Sequence, residues 1–256
     1  MTAEDEFMTG ERAGGRATWR SYAARALPIQ AALLLAACGG TAEAPVANES
    51  TAAPGARQSA AASNVPVTGP KRTVLALGDS LYAGYGLRIG ESLPEAIERR
   101  LRAGGIDATL VNAGVSGDTS AGGRARLAYT LDRMGRSPDL VLLGLGGNDV
   151  LRQIDPAQTR ANLDAMLDEL ERRRIPVVLT GMLAPPNLGP DFAARFNAIF
   201  PELAREHDAV LDPFILQGVL GNRRLMLPDG IHPNATGVER IADRVAPLLA
   251  TRLRVL

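Results

Sequence analysis

Ser80, Asp229 and His232 are the residues of this chain whose types and spacing suit covalent chemistry. A serine hydroxyl attacks a carbonyl only under three conditions: a base within hydrogen-bond reach takes its proton, a third group orients that base, and donors await the negative charge that develops. His232 is the candidate base. The chain has two histidines, and the other, His207, lies in Glu206-His207-Asp208 at the polar end of a predicted helix, where solvent is expected to surround it. Asp229 precedes His232 by three residues in a Gly/Pro/Asn loop, so one turn brings its carboxylate to the imidazole Nδ1–H. Such a pair can also merely cap the helix that follows, and the local motif leaves both readings open. The candidate oxyanion donors are the backbone N–H of Ser80, the backbone N–H of Gly117 and the side-chain amide of Asn148. Glycine lets a substrate come close to the backbone. Taken singly, Gly117 is equally a turn glycine and Asn148 a turn or cap residue. Asp79 is expected to brace the turn carrying Ser80, and Asp118 and Asp149 to serve as helix caps or turn residues. Asp79 or Asp149 as the orienting acid is a second choice, without the short spacing of Asp229 to His232.

The elements that must position these groups are readable from hydrophobic pattern. Thr73-Val74-Leu75-Ala76-Leu77 is a short apolar run ending at Gly78, so Ser80 sits where a buried strand turns toward a helix. Further strands are expected at 108–112, 139–145, 176–180 and 209–211. Between them, Ser92 with Glu95 forms a capping-box pattern ahead of Leu93, Ile97 and Leu101, and Asp155-Pro156 opens another helix as cap and first residue. Phe192, Phe196 and Phe200 repeat along one helical face and read as core. Strand–helix alternation implies a parallel sheet with right-handed crossovers and helices on both faces. Ligands of such sheets bind beyond the carboxyl ends of the strands, which is where each candidate group falls.

Composition narrows the function classes. Lysine plus arginine and aspartate plus glutamate number 28 each, so the formal charge is zero and gives no electrostatic reason for a nucleic-acid partner. Aromatic residues are 4%, too few for base-stacking platforms. Cys38 is the single cysteine, so no intramolecular disulfide forms and no Cys/His cluster has zinc-ligand spacing. Residues 1–38 read as a secretory leader: Arg12, Arg16, Arg20 and Arg25 precede the apolar run 31–37, and Met8 is an alternative start that removes the acids at 4–6. The run ends in Leu35-Ala36-Ala37-Cys38-Gly39, which is similar to a bacterial lipobox, with Cys38 lipidated. Residues 39–70, rich in Ala, Pro, Ser, Thr and Gly, read as a flexible linker ahead of a domain at 71–256.

Together, four stretches resemble the SGNH hydrolases, or GDSL esterase/lipase superfamily: Gly78-Asp79-Ser80-Leu81, Ser116-Gly117-Asp118-Thr119, Gly146-Gly147-Asn148-Asp149 and Asp229-Gly230-Ile231-His232-Pro233. The wording is that of the exported thioesterase I/lysophospholipase L1/arylesterase group of Gram-negative bacteria. The resemblance covers about residues 72–252. It implies a flavodoxin-like three-layer α/β/α sandwich with a five-stranded parallel sheet in the order 2-1-3-4-5. It also implies hydrolysis of esters and thioesters through an acyl-enzyme without metal or cofactor. Ser80, Asp229 and His232 then form the triad, and Ser80, Gly117 and Asn148 the oxyanion hole. Leu87, Leu151, Ile154, Leu183 and Leu188 are candidates to line the acyl site. The expected location is the periplasm, membrane-anchored through Cys38. Alternatives are a deacetylase of acetylated polysaccharide and a non-catalytic acyl-binding surface lipoprotein.

Overall fold

Five apolar runs become strands, because a strand covered on both faces carries large aliphatic side chains at successive positions instead of alternating with polar ones. In the computed structural model, which describes residues 66–256, these are β1 Thr68–Gly78, β2 Ile106–Gly114, β3 Leu140–Gly144, β4 Val177–Thr180 and β5 Val210–Asp212. They pair in parallel in the order β2-β1-β3-β4-β5, the expected doubly wound arrangement. The helices are α1 Ser80–Ala83, α2 Leu93–Ala103, α3 Ser120–Arg133, α4 Gly147–Leu151, α5 Pro156–Arg172, α6 Pro190–Glu206 and α7 Ala235–Arg254.

The pleat divides the strand side chains between two cores. Val74, Ala76, Leu140, Leu142 and Val178 pack under α2 and α7, while Leu75, Leu77, Val141, Leu143 and Leu179 pack under α3, α5 and α6. Each buried Val or Leu among them contributes roughly 1.5–3 kcal/mol by leaving water. Phe196 and Phe200 are fully inside the second core, as their spacing predicts, and Phe192 packs at its edge. The helix starts follow the local signals. Ser92 and Glu95 form the complete capping box of α2, Asp155 accepts from the N–H of Ala157 at the head of α5, and Asn234 caps α7 through Gly237.

The structure corrects two expectations. β1 begins at Thr68, so residues 68–70, assigned to the linker by composition, are strand; the pairing with β2 shifts register between Thr68 and Arg72, and this polar, irregular end hides it from hydrophobic pattern. The one-turn helices α1 and α4 were not predicted, since four or five residues carry no 3.6-residue periodicity. The leader, Cys38 and the linker up to residue 65 lie outside the described residues.

Candidate active site

Three strands end level with one another. Gly78 of β1 stands beside Gly114 of β2 and Gly144 of β3, so the loops that follow start from one line. Glycine is required there: a Cβ on Gly78 or Gly144 would overlap the Tyr82 ring, and one on Gly114 would overlap the backbone of α1. With no side chains in the way, α1 lies directly on the strand ends. Tyr82 is buried, and its hydroxyl bonds Thr180 Oγ1 at 2.8 Å, pinning α1 to β4. Ser80 is thus the first residue of a helix seated on the carboxyl edge, with Asp79 as N-cap accepting from the Leu81 N–H at 3.1 Å. The bracing role expected of Asp79 takes this form.

His232 reaches Ser80 from the loop between β5 and α7. Its Nε2 is 2.9 Å from Ser80 Oγ, and its Nδ1 is 2.7 Å from Asp229 Oδ2. Because a carboxylate only accepts, Nδ1 carries the proton, and Nε2 of the neutral ring faces the hydroxyl as acceptor. Asp229 also accepts from the backbone N–H groups of His232 and Ile231 at 3.0 and 2.9 Å. The N–H and the ring of His232 hold its carboxyl down at about 2, so it stays ionised at any pH where the imidazole is neutral. The two second-choice acids point elsewhere. Asp79 faces Leu81, and Asp149 is buried beneath α3.

Gly117 has φ +85°, a backbone state that favours glycine. An Arg152 guanidinium N–H donates to its carbonyl at 2.8 Å, and the Asn148 amide donates to the neighbouring Asp118 carbonyl at 2.9 Å. One Asn148 N–H is therefore spent on holding the loop, and the other remains for a ligand. Among the described residues, the N–H groups of Ser80 and Gly117 have no acceptor. Asp118 is not a cap: it pairs with Arg126 at 2.6 Å, and the same guanidinium donates to the Gly78 carbonyl at 3.0 Å. Asp149 supports the head of α3, whose N-cap is Thr119, and does not cap its own helix. It accepts from the Ser120 N–H at 2.8 Å, from the Ser120 hydroxyl, and from the Thr159 hydroxyl at 3.1 Å, tying α4 to α3 and α5.

Pattern reading missed Tyr85, Arg126 and Arg152. The Tyr85 ring lies 4.5 Å from that of His232, centroid to centroid, tilted by 36°. Its one sequence signal is an aromatic residue between Gly84 and Gly86, and the structure holds both glycines at positive φ. His207 was misjudged: its side chain is nearly buried, with Nε2 2.8 Å from Asp164 and Nδ1 3.4 Å from Glu171. Burial opposes its charge, but these carboxylates outweigh it and hold the ring above the ordinary histidine range. Of the acyl-site candidates, Leu87 and Leu188 pack against the cores, Ile154 is half-buried, and Leu151 and Leu183 are exposed. A cavity of about 510 Å³ lined by His207, Arg174, Arg205 and Arg252 lies at the start of β4, the edge opposite Ser80.

Burial pushes the Asp79 carboxyl up to about 6, against the Leu81 N–H and the nearby imidazole, which lower it. The native state therefore binds more protons than the unfolded chain between about pH 4 and pH 6, and this residue's contribution to stability falls as pH rises through that window. Asp79→Asn keeps the acceptor for Leu81 and carries no charge. Its melting temperature relative to wild type is expected to be higher at pH 8 than at pH 4.5; a pH-independent difference would contradict the assignment.

A parallel sheet with a Ser–His–Asp hydrogen-bond chain across its carboxyl edge has the architecture of a three-layer α/β/α hydrolase. The chain belongs to the GDSL-like lipase/acylhydrolase family, whose pattern it matches over residues 76–240. It is 39% identical over 178 residues to the esterase TesA of Pseudomonas aeruginosa, covering 70% of this chain and 88% of that protein. It is 38% identical over 177 residues to thioesterase 1/protease 1/lysophospholipase L1 of Escherichia coli, covering 69% and 83%. Among solved structures, AlinE4, an SGNH-hydrolase family esterase, is 47% identical and superposes with a TM-score of 0.62 over 73% of this chain and 98% of its own.

Proposed function

We propose that the chain is a serine ester hydrolase acting on carboxylic esters and thioesters through an acyl-enzyme, with Ser80 as nucleophile, His232 as base and Asp229 as its orienting acid. The observation that carries this reading is the unbroken relay from Asp229 Oδ2 through His232 to Ser80 Oγ, at 2.7 and 2.9 Å. Ser80 Oγ bonds to the acyl carbon as its proton passes to Nε2, and Asp229 stabilises the imidazolium. The carbonyl oxygen takes the negative charge and meets the Ser80 N–H, the Gly117 N–H and the free Asn148 N–H. The bond to the leaving alcohol or thiol breaks as Nε2 returns the proton to it. Water then attacks the acyl-serine by the same route, releasing the acid and restoring Ser80. The esterase and thioesterase names of the relatives support both leaving-group classes.

Hydrolysis of p-nitrophenyl esters of graded acyl length, together with peptide mapping of a fluorophosphonate adduct, tests the proposal. The adduct is expected on Ser80. A reactive chain modified elsewhere, or a folded chain inert to both reagents, would refute it.

Tyr85 covers one face of the base and limits its rotation. Tyr85→Phe keeps that ring and is expected to keep kcat/KM, whereas Tyr85→Ala is expected to lose about two- to tenfold, the worth of one aromatic contact. Equal loss in both variants would assign the effect to the hydroxyl instead.

For the residues ahead of β1 we propose export by the leader, lipidation of Cys38 and a linker tethering the domain to the membrane on the periplasmic side. The arginines followed by an apolar run ending in Leu-Ala-Ala-Cys support this. Mass spectrometry of the mature N-terminus is expected to find diacylated Cys38; an unmodified residue there would overturn it.

A further inference from the structure

We propose that the carboxyl edge of the sheet is a docking surface for an anionic phospholipid layer, so that Ser80 faces lipid directly. The docking surface stands on its own observations; that hydrolysis happens there rests on the function proposed above. Each of the five loops at this edge exposes at least one large apolar side chain: Tyr85, Val115, Leu151, Leu183 and Ile231 are between 43% and 58% exposed, and Ile89 and Leu220 add to the first and last loops. Contacts join these loops into one rim. Tyr85 stacks on His232, the neighbour of Ile231. Arg152, beside Leu151, reaches Gly117, two residues from Val115. Met182, beside Leu183, lies against Gly147 at the head of α4. Single exposed apolar residues are ordinary on a protein surface, but a ring of them on one edge marks a contact face.

Charge selects the occupant. Arg88, Arg152, Arg223 and Arg224 are exposed on the same loops. Among the described residues, the last three have no carboxylate partner, and the one near Arg88, Glu91, is 3.8 Å away. The acids of this edge are mostly committed or internal: Asp118 to Arg126, Asp229 to His232, with Asp79 and Asp149 buried. Asp155, exposed at the head of α5, is paired with Arg195 at 3.1 Å, and Asp191, at the start of α6, is exposed without an ion pair among the described residues. A chain of zero formal charge thus presents a cationic edge studded with apolar side chains. An anionic lipid surface is complementary to both properties at once, headgroups to guanidinium groups and acyl region to the leucines and tyrosine. No helix among the described residues is long and apolar enough to cross a membrane, so this contact is peripheral.

The test is co-sedimentation of the full chain with vesicles. The chain carries Cys38→Ser, so that no acyl group at that residue contributes, and Ser80→Ala, so that lipid is not consumed. Binding is expected to phosphatidylglycerol/phosphatidylcholine vesicles and to be at least tenfold weaker to phosphatidylcholine alone. The triple variant Arg88→Gln, Arg223→Gln, Arg224→Gln is expected to lose about 100-fold in partitioning, roughly fivefold per arginine. Ile89→Asp, at a fully exposed position of the first loop, is expected to weaken partitioning as well. With Ser80 restored, both sets should hydrolyse p-nitrophenyl acetate as the parent does, which verifies folding and separates docking from chemistry. Loss of hydrolysis with vesicle binding intact would count against the esterase reading alone. No binding to anionic vesicles, equal binding to neutral ones, insensitivity to the arginine substitutions, or dimerisation through this face in the absence of lipid would overturn the docking surface.

Discussion

Ser80→Ala is expected to lower kcat/KM on p-nitrophenyl esters by about 10⁴-fold or more while leaving the melting temperature nearly unchanged. The size follows from the site's dependence on one hydroxyl. Among the described residues, no other nucleophile stands within hydrogen-bond reach of His232 Nε2, whose partner is Ser80 Oγ at 2.9 Å. The small stability effect follows from burial, because Ser80 caps nothing; the N-cap of α1 is Asp79. His232→Ala should cost a comparable factor. The double variant should be no worse than either single one, since hydroxyl and imidazole act as a unit whose contributions do not add. Purified variants assayed beside wild type, with fluorophosphonate labelling as a second readout, provide the measurement. Several per cent of wild-type turnover in Ser80→Ala, unchanged after repurification, would remove Ser80 from the chemistry.

Asn148→Ala is expected to lower kcat by about 10²–10³-fold with little change in KM, the range for one oxyanion donor. The residue has two tasks, and the experiment must separate them. One amide N–H holds the Asp118 carbonyl, and the other is the donor proposed for the developing charge. If loop support alone mattered, Arg152→Ala, which removes the parallel anchor on the Gly117 carbonyl, would cost a similar factor. We expect Arg152→Ala to cost about tenfold or less, because the Asn148 bond and the Asp118–Arg126 pair still hold the loop. A kcat for Asn148→Ala within threefold of wild type, in a folded variant, would exclude the amide from the oxyanion hole.

Much of this site was legible in the chain because its signals are local. Asp229 and His232 are three residues apart, and the Gly-Asp-Ser and Gly-Gly-Asn turns each follow an apolar run long enough to be a strand. The helix caps at Ser92 and Asp155 formed as patterned, since a capping bond involves residues two or three apart. His207 shows where local reading fails. Flanked by Glu206 and Asp208 it looks solvated, yet α5 brings Asp164 and Glu171 to both of its ring nitrogens.

Hydrophobic pattern and turn residues alone specify the parallel sheet, its flanking helices and the candidate residues for acyl transfer. Hydrophobic period and turn chemistry act over a few residues; three of the four motifs closely follow a strand, and the Asp229–His232 motif stands just ahead of α7. Tertiary structure alone decided what supports those residues. Tyr85 stacks across a separation of more than one hundred positions onto His232, Arg126 joins the end of β1 to the Gly117 loop, and Asp149 serves the head of α3 instead of its own helix. These contacts depend on three glycine-ended strands stopping at one level, and strand register is set by packing between segments distant in the chain.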